Sequence, residues 1–143
     1  MRRLAPLLRA PLCALLLALA GCGGPTEVVG SVAIGEPFEL RLGETVVVRD
    51  RQFSLVVLAV LEDSRCPTDA LVVCVWEGRV RLRLATAPLT GDQAFHEIHL
   101  GDEPNVVTLG DLRLRLLEVR PAARLDRIPD GEYRARFELT VAP

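Results

Sequence analysis

The sequence predicts an all-β protein: a single antiparallel β-sandwich, immunoglobulin-like or related, of about eight or nine strands. Two observations predict this fold. Apolar residues alternate with charged residues in several short runs, as they do in strands that cover a core with one face. Turn-forming Gly, Pro and Asp residues separate these runs about every eight to twelve residues, and no βαβ spacing occurs. An open barrel is the alternative arrangement of the same strands.

The alternation is clearest in four runs, which are residues 38–42, 80–84, 112–116 and 133–141. Residues 53–61 differ because they are apolar nearly throughout, which is typical of a central strand with both faces covered. Residues 46–48 have the same character. Between the runs lie residues that tolerate left-handed backbone, as turns require. These turn candidates are Gly43-Glu44, Asp50-Arg51, Thr90-Gly91-Asp92, Gly110-Asp111 and Asp130-Gly131.

The amino-terminal segment predicts export. Arg2, Arg3 and Arg9 form a basic region without acids, and residues 10–20 are uncharged and mostly Leu and Ala. That length suits a secretory signal, whereas a bilayer-spanning helix needs roughly 20 apolar residues. Gly and Pro residues follow directly at positions 21–25. We therefore expect residues 1–21 to be a cleaved signal peptide.

The end of this segment, Leu19-Ala20-Gly21-Cys22, resembles the lipobox of bacterial lipoproteins. The resemblance implies a diacylglyceryl thioether on Cys22, cleavage before it, and fatty acylation of the new amino terminus. An anchor with more than one acyl chain holds a protein stably at a membrane. In Gram-negative lipoproteins, an Asp directly after the lipidated cysteine commonly retains the protein in the inner membrane. This chain has Gly23 at that position, so the resemblance implies the outer membrane, on its periplasmic or surface face.

Removal of the signal leaves a tether, residues 22–27, and one β-domain, residues 28–143. The tether reaches about 20 Å when extended, so the domain is expected close to the membrane. Cleavage removes three of the 17 basic residues and none of the 19 acids, which leaves a formal charge of −5. This balance offers no basic surplus for a nucleic acid partner.

The four cysteines have separate expected fates. Cys13 leaves with the signal and Cys22 carries the lipid, so Cys66 and Cys74 remain in the domain. Outside the cytoplasm such a pair most often forms a disulfide. A two-thiolate metal site is the alternative, but it needs further ligands and none lies near in sequence.

The cysteines belong to the least generic motif, Asp63-Ser64-Arg65-Cys66-Pro67 with Cys74-Val75-Trp76-Glu77-Gly78. It resembles a signature, D-S-R-C-P…C-x-W-x-G, of small uncharacterised bacterial lipoproteins and envelope proteins. The resemblance covers residues 63–78 only. It supports the envelope location and the disulfide, and it implies no activity.

Two interpretations of this motif follow from its residues. In the favoured one it is a structural clasp: a strand ends near Leu61, the chain turns at Pro67, and a strand resumes near Leu71. Trp76 then packs over the disulfide or into the core, and Arg65 pairs with Asp63. In the other, Asp63, Arg65, Pro67 and Trp76 form a recognition loop. The most specific version of the second interpretation is an inhibitor that offers Arg65 to a protease.

The histidines predict no metal site. His96 and His99 are three positions apart on a predicted strand, so their side chains point to opposite faces. Glu97 and His99 share a face, but two ligands do not make a zinc site. No nucleophile lies in a recognisable setting. We expect no catalytic residue and no cofactor.

The sequence therefore favours a membrane-anchored envelope lipoprotein whose disulfide-clasped domain is a non-enzymatic binding or structural module. Its expected partners are the membrane, through Cys22, and an envelope protein or surface polymer. An inhibitor of an envelope or foreign hydrolase is the first alternative. A metal-binding or redox accessory protein is the second.

Overall fold

The structure is a computed structural model that describes residues 27–69, 71–88 and 91–143. The predicted signal peptide, Cys22 and most of the predicted tether lie outside the described residues. Within those residues, no helix is long and apolar enough to cross a bilayer.

Nine strands and one short 3₁₀ turn, Asp130–Glu132, make up the regular structure of the described part. The strands are β1 (Glu27–Val32), β2 (Phe38–Arg41), β3 (Glu44–Val48), β4 (Phe53–Asp63), β5 (Val80–Pro88), β6 (Ala94–Leu100), β7 (Val106–Leu109), β8 (Leu112–Arg120) and β9 (Arg134–Val141).

The strands form two sheets, which confirms the predicted β-sandwich. The first sheet has the order β1-β3-β4-β5-β6, and the second has the order β2-β9-β8-β7. Most pairs join strands that are consecutive in the chain, and the exceptions are β1 with β3 and β2 with β9. All pairs are antiparallel except β1 with β3, which run parallel, so the sandwich is not purely antiparallel.

The core lies between the sheets and contains the apolar half of each alternating run. Phe137 is its largest fully buried side chain, and its ring centroid lies 5.9 Å from that of Phe38. Within the part of the chain that the structure describes, every buried apolar residue lies between Val32 and Leu139. The alternating pattern therefore predicts the core residues correctly, because one face of each strand is removed from water.

β4 is a central strand, as its apolar sequence predicts, but only part of it is covered on both faces. Leu55, Val56 and Val57 are all buried, whereas Leu58 and Leu61 are exposed on about a third of their surface. Register shifts between Val57 and Asp63 accompany this change.

The strand expected to resume near Leu71 is absent, because residues 71–79 form no regular structure and β5 begins at Val80. Hence β4 and β5 are joined by a long loop. We call residues 64–79 the clasped loop.

Candidate functional site

The base of the clasped loop continues the pairing of β4 with β5. The Ser64 amide donates to the carbonyl of Arg79 (2.8 Å), and the Arg79 amide donates to Ser64 Oγ (3.1 Å). The Cys66 amide donates to the carbonyl of Glu77 (3.4 Å). These bonds hold the two ends of the loop together.

Gly78 makes this close approach possible. Its φ is +69°, and a Cβ at this position would lie 1.8 Å from the Ser64 carbonyl oxygen. Only glycine fits such a backbone without displacing Ser64.

The predicted disulfide is present and closes the loop above its base. Cys66 and Cys74 are bridged, with their Cα atoms 5.9 Å apart. This separation is within the usual range for a bridge.

Arg65 is the centre of a half-buried polar cluster at the base. Its guanidinium donates to Asp63 through Nε (2.9 Å) and Nη2 (2.7 Å), and through Nη1 to the carbonyl of Val119 (2.7 Å). The Tyr133 hydroxyl also donates to Asp63 Oδ2 (3.0 Å). The predicted Arg65–Asp63 ion pair is therefore confirmed, and it joins β4 to β8 and to the start of β9. Tyr133, 70 positions from Asp63, was not predicted from sequence.

The surroundings set the protonation of this cluster. Burial alone would raise the pKa of Asp63, but the hydrogen bonds and charge of Arg65, with the bond from Tyr133, hold it below its ordinary value. Burial and the hydrogen bond to Asp63 raise the pKa of Tyr133 to about 12. Asp63 is thus an anion, and Tyr133 a neutral donor, across the ordinary pH range.

A second set of bonds docks the first half of the loop on the segment before β9. The Thr68 amide and hydroxyl both donate to the carbonyl of Ala123, at 2.9 and 3.2 Å. The Leu125 amide donates to Asp69 Oδ1 (3.1 Å). The loop is therefore fixed on both sides of Cys66.

Residues 71–76, which include the bridged Cys74, are an apolar segment of the loop that faces solvent, and we call this segment the apolar tip. Trp76 is 81% exposed and Val73 is 98% exposed, and Leu71, Val72 and Val75 are exposed as well. The prediction that Trp76 packs over the disulfide or into the core is wrong. The sandwich fills its interior with residues of the two sheets, and residues 71–79 do not return to either sheet.

The four residues of the predicted recognition loop do not form one surface. Asp63 and Arg65 lie in the base, with side chains 12% and 16% exposed. Pro67 is partly buried, and Trp76 is exposed in the tip. The exposed residues that the prediction missed are Leu71, Val72, Val73 and Val75. Because their apolar run is typical of a strand, the sequence predicted a strand here and not an exposed apolar surface.

A polar cleft of about 400 Å³ opens beside the cluster, between Arg65 and residues 123–130. Asp63 and Tyr133 line it, but both oxygens of Asp63 already accept hydrogen bonds from Arg65 or Tyr133. In this arrangement the carboxylate joins β4 to Tyr133 and to Arg65.

A connected row of charges covers the outer face of the first sheet next to the loop. Contacts of 2.7 to 3.3 Å join its seven members, which are Glu62, Arg79, Arg81, Arg83, Glu97, His99 and Asp102. Hydrogen bonds from Arg81 and Arg83 lower the pKa of Glu97. The row is solvent-exposed, so each pair contributes little to stability.

The histidines lie on opposite faces of β6, as predicted. His99 pairs with Arg81 on the outer face and contacts Asp102 (2.8 Å). His96 pairs with Leu84 and lies beside Thr86 Oγ1 (3.0 Å), where burial lowers its pKa. Across the residues with described positions, no three His, Cys, Asp or Glu side chains are grouped to hold a metal ion.

Comparisons of the chain with family models, with curated proteins and with solved structures found no match.

Proposed function

We propose that this protein is a lipid-anchored envelope protein whose β-sandwich acts as a non-enzymatic binding or structural module. The anchor is the acylated Cys22, in the outer membrane where the envelope is Gram-negative. The partner of the domain is an envelope protein or a surface polymer.

The observation that carries the binding role is the clasped loop. Five of the 13 exposed large apolar side chains in the described structure lie within residues 71–76. Concentrated apolar surface of this kind marks an interaction site. The disulfide and the base hydrogen bonds hold it in one place, which reduces the ordering needed on binding.

The alternatives receive less support. An inhibitor that offers Arg65 to a protease needs a free guanidinium, whereas Arg65 is bound to Asp63 and to Val119. A metal role for the cysteines needs thiolates, whereas Cys66 and Cys74 are bridged. The binding module is therefore the function that the geometry supports best.

Cell fractionation tests the anchor. We expect the wild-type protein in the membrane fraction, at the size of the processed form, after a high-salt wash. Cys22→Ala should accumulate as a precursor longer by the signal, because diacylglyceryl transfer precedes cleavage. Cys13→Ala is the matched control, since it removes the other cysteine of the segment and should behave as wild type. A Cys22→Ala protein that is processed and membrane-bound like wild type would refute the anchor.

Crosslinking in the native envelope tests the binding module. A specific crosslinked protein or polymer is expected, and its identification names the partner. If crosslinkers at positions across the whole surface capture only lipid, this result would contradict the binding of an envelope protein or polymer.

A further inference from the structure

The apolar tip of the clasped loop is unlike the rest of the surface. Residues 70–76 contain no charged side chain, although a quarter of the whole chain is charged. The indole N–H of Trp76 is the only hydrogen-bonding donor or acceptor among the side chains of residues 71–73, 75 and 76. Charged residues, Asp69 and Glu77, flank the tip on both sides.

The pairing of the strands shows where the tip lies relative to the start of the domain. Glu27 of β1 pairs with Glu44, and the chain next to Glu44 bonds to Val57 of β4. β4 runs antiparallel to β1, because β1 is parallel to β3 and β3 is antiparallel to β4. The part of β4 from Val57 to Asp63 therefore extends toward the end of the sandwich at which β1 begins. The clasped loop therefore extends from the same end of the sandwich as the amino-terminal end of β1.

Two register shifts shorten this part of β4, because its six residue steps from Val57 to Asp63 pair with only four steps of β5, from Leu84 to Val80. Four strand steps span about 13 Å, so Asp63 lies about 13 Å beyond the level of Glu27. The five residue steps from Glu27 back to Cys22 reach about 20 Å at most. An anchored Cys22 thus holds the end of β4 near the membrane surface, and the tip lies beyond that end.

We propose that the clasped loop is a second membrane contact, in which residues 71–76 insert into the lipid bilayer that holds the anchor. A bilayer needs no hydrogen bonds from an inserted side chain, whereas protein interfaces carry about one hydrogen bond per 100–200 Å². Leu and Val side chains suit the acyl region, and Trp76 suits the headgroup level, where tryptophan is enriched. The orientation rests on the proposed anchor at Cys22.

Fluorescence tests this contact without the anchor, so that failure of the loop and failure of lipidation are distinguishable. The test uses residues 23–143, which contain every buried apolar residue of the described structure, and circular dichroism checks that they fold without the lipid. Trp76 is the only tryptophan, so emission reports this one side chain, which lies where the tip meets Gly78 and Arg79 of the base. With excess vesicles of equimolar phosphatidylethanolamine and phosphatidylglycerol, we expect the emission to shift to shorter wavelength. Brominated acyl chains should quench it.

Paired variants provide the control. Leu71→Ser with Val73→Ser should lower the vesicle-bound fraction about tenfold or more, since two large apolar side chains are lost from the contact. Phe95→Ser removes an exposed apolar side chain at the opposite end of the first sheet and should leave binding unchanged.

Three results would overturn the proposal. The first is emission that stays at the wavelength of exposed tryptophan at high lipid concentration. The second is an emission shift that depends on protein concentration without vesicles, which would assign the tip to a second copy of the chain. The third is a crosslink to an envelope protein that forms with the wild-type chain and not with the Leu71→Ser, Val73→Ser variant, while vesicles leave the wild-type emission unchanged.

Discussion

Arg65 joins three parts of the chain, because it donates to Asp63 in β4 and to the carbonyl of Val119 in β8, while Asp63 also accepts from Tyr133. Both charged side chains are largely removed from water. A pair of this kind is costly to break, since the remaining charge stays half-buried without its partner. The chemistry of Arg65 is thus structural.

Replacement of Arg65 by Ala should therefore reduce stability. We expect a loss of roughly 2–4 kcal/mol in the free energy of unfolding, and a melting temperature lower by roughly 8–16 °C. Thermal unfolding followed by circular dichroism measures this. Arg127→Ala is the matched control, because Arg127 is almost fully exposed nearby and should change stability little. Equal melting temperatures for the two variants would contradict a structural Arg65.

Tyr133 provides a direct test of the same cluster, because it is the only tyrosine. Its phenolate absorbance should appear with a pKa of about 12, against an ordinary value of about 10. Since the folded pKa is the higher one, the stability from Tyr133 is complete below pH 10 and is lost as the pH rises toward 12. Tyr133→Phe should remove this part of the alkaline destabilisation. A folded protein whose tyrosine titrates near 10 would show that the bond to Asp63 is not formed.

At the scale of strands and loops, one physical rule explains which strands the sequence predicts correctly and why the strand expected near Leu71 is absent. Alternation identifies a strand when one face meets a core, so β2, β5, β8 and β9 were predictable. Residues 71–76 have equally strong strand propensity but no neighbour to pair with. Propensity is a local property, whereas pairing depends on distant strands. The exposure of Trp76 was therefore invisible in the sequence.

The base of the clasped loop depends on one glycine. Gly78→Ala should destabilise the domain by roughly 3 kcal/mol or more, because the new Cβ overlaps the Ser64 carbonyl. Gly110→Ala is the matched control: Gly110 has a similar φ, +64°, but open space around it, so only backbone strain of about 1–2 kcal/mol applies. Denaturant unfolding compares the two variants. Equal losses would mean that the close approach at Gly78 does not hold the loop.

The disulfide stabilises the loop mainly through the unfolded chain. Changing Cys66 and Cys74 to Ser should cost about 2–4 kcal/mol and lower the melting temperature by roughly 8–20 °C. Reduction of the wild-type protein should give the same melting temperature as the double variant. The wavelength of Trp76 emission should stay unchanged on reduction, since the side chain is exposed already. An unchanged melting temperature would show that the base hydrogen bonds alone hold the loop.

At the scale of the whole molecule, the sequence predicts the sandwich but not the order of the strands in its two sheets. The number of alternating runs indicates two packed sheets. The parallel pairing of β1 with β3 is different, because the chain between these two strands crosses to the other sheet and forms β2 there. No local pattern records that path. The Asp63–Tyr133 contact has the same cause, because it spans 70 positions.

The topology gives the molecule two different ends. The clasped loop and the amino-terminal end of β1 share one end, and the β3–β4 turn and the last residues of β5 lie at the other. Held by a short tether, such a domain presents its loop to the membrane and its far end to the surroundings. This polarity is the physical basis of the proposed membrane contact, and it depends on a lipid at Cys22.

Mass spectrometry of the mature amino terminus tests that claim most directly. We expect an amino-terminal peptide that begins at Cys22 and carries a diacylglyceryl group on its sulfur, with a further acyl chain on its amine. A mature protein that begins elsewhere, or an unmodified Cys22, would contradict the anchored domain.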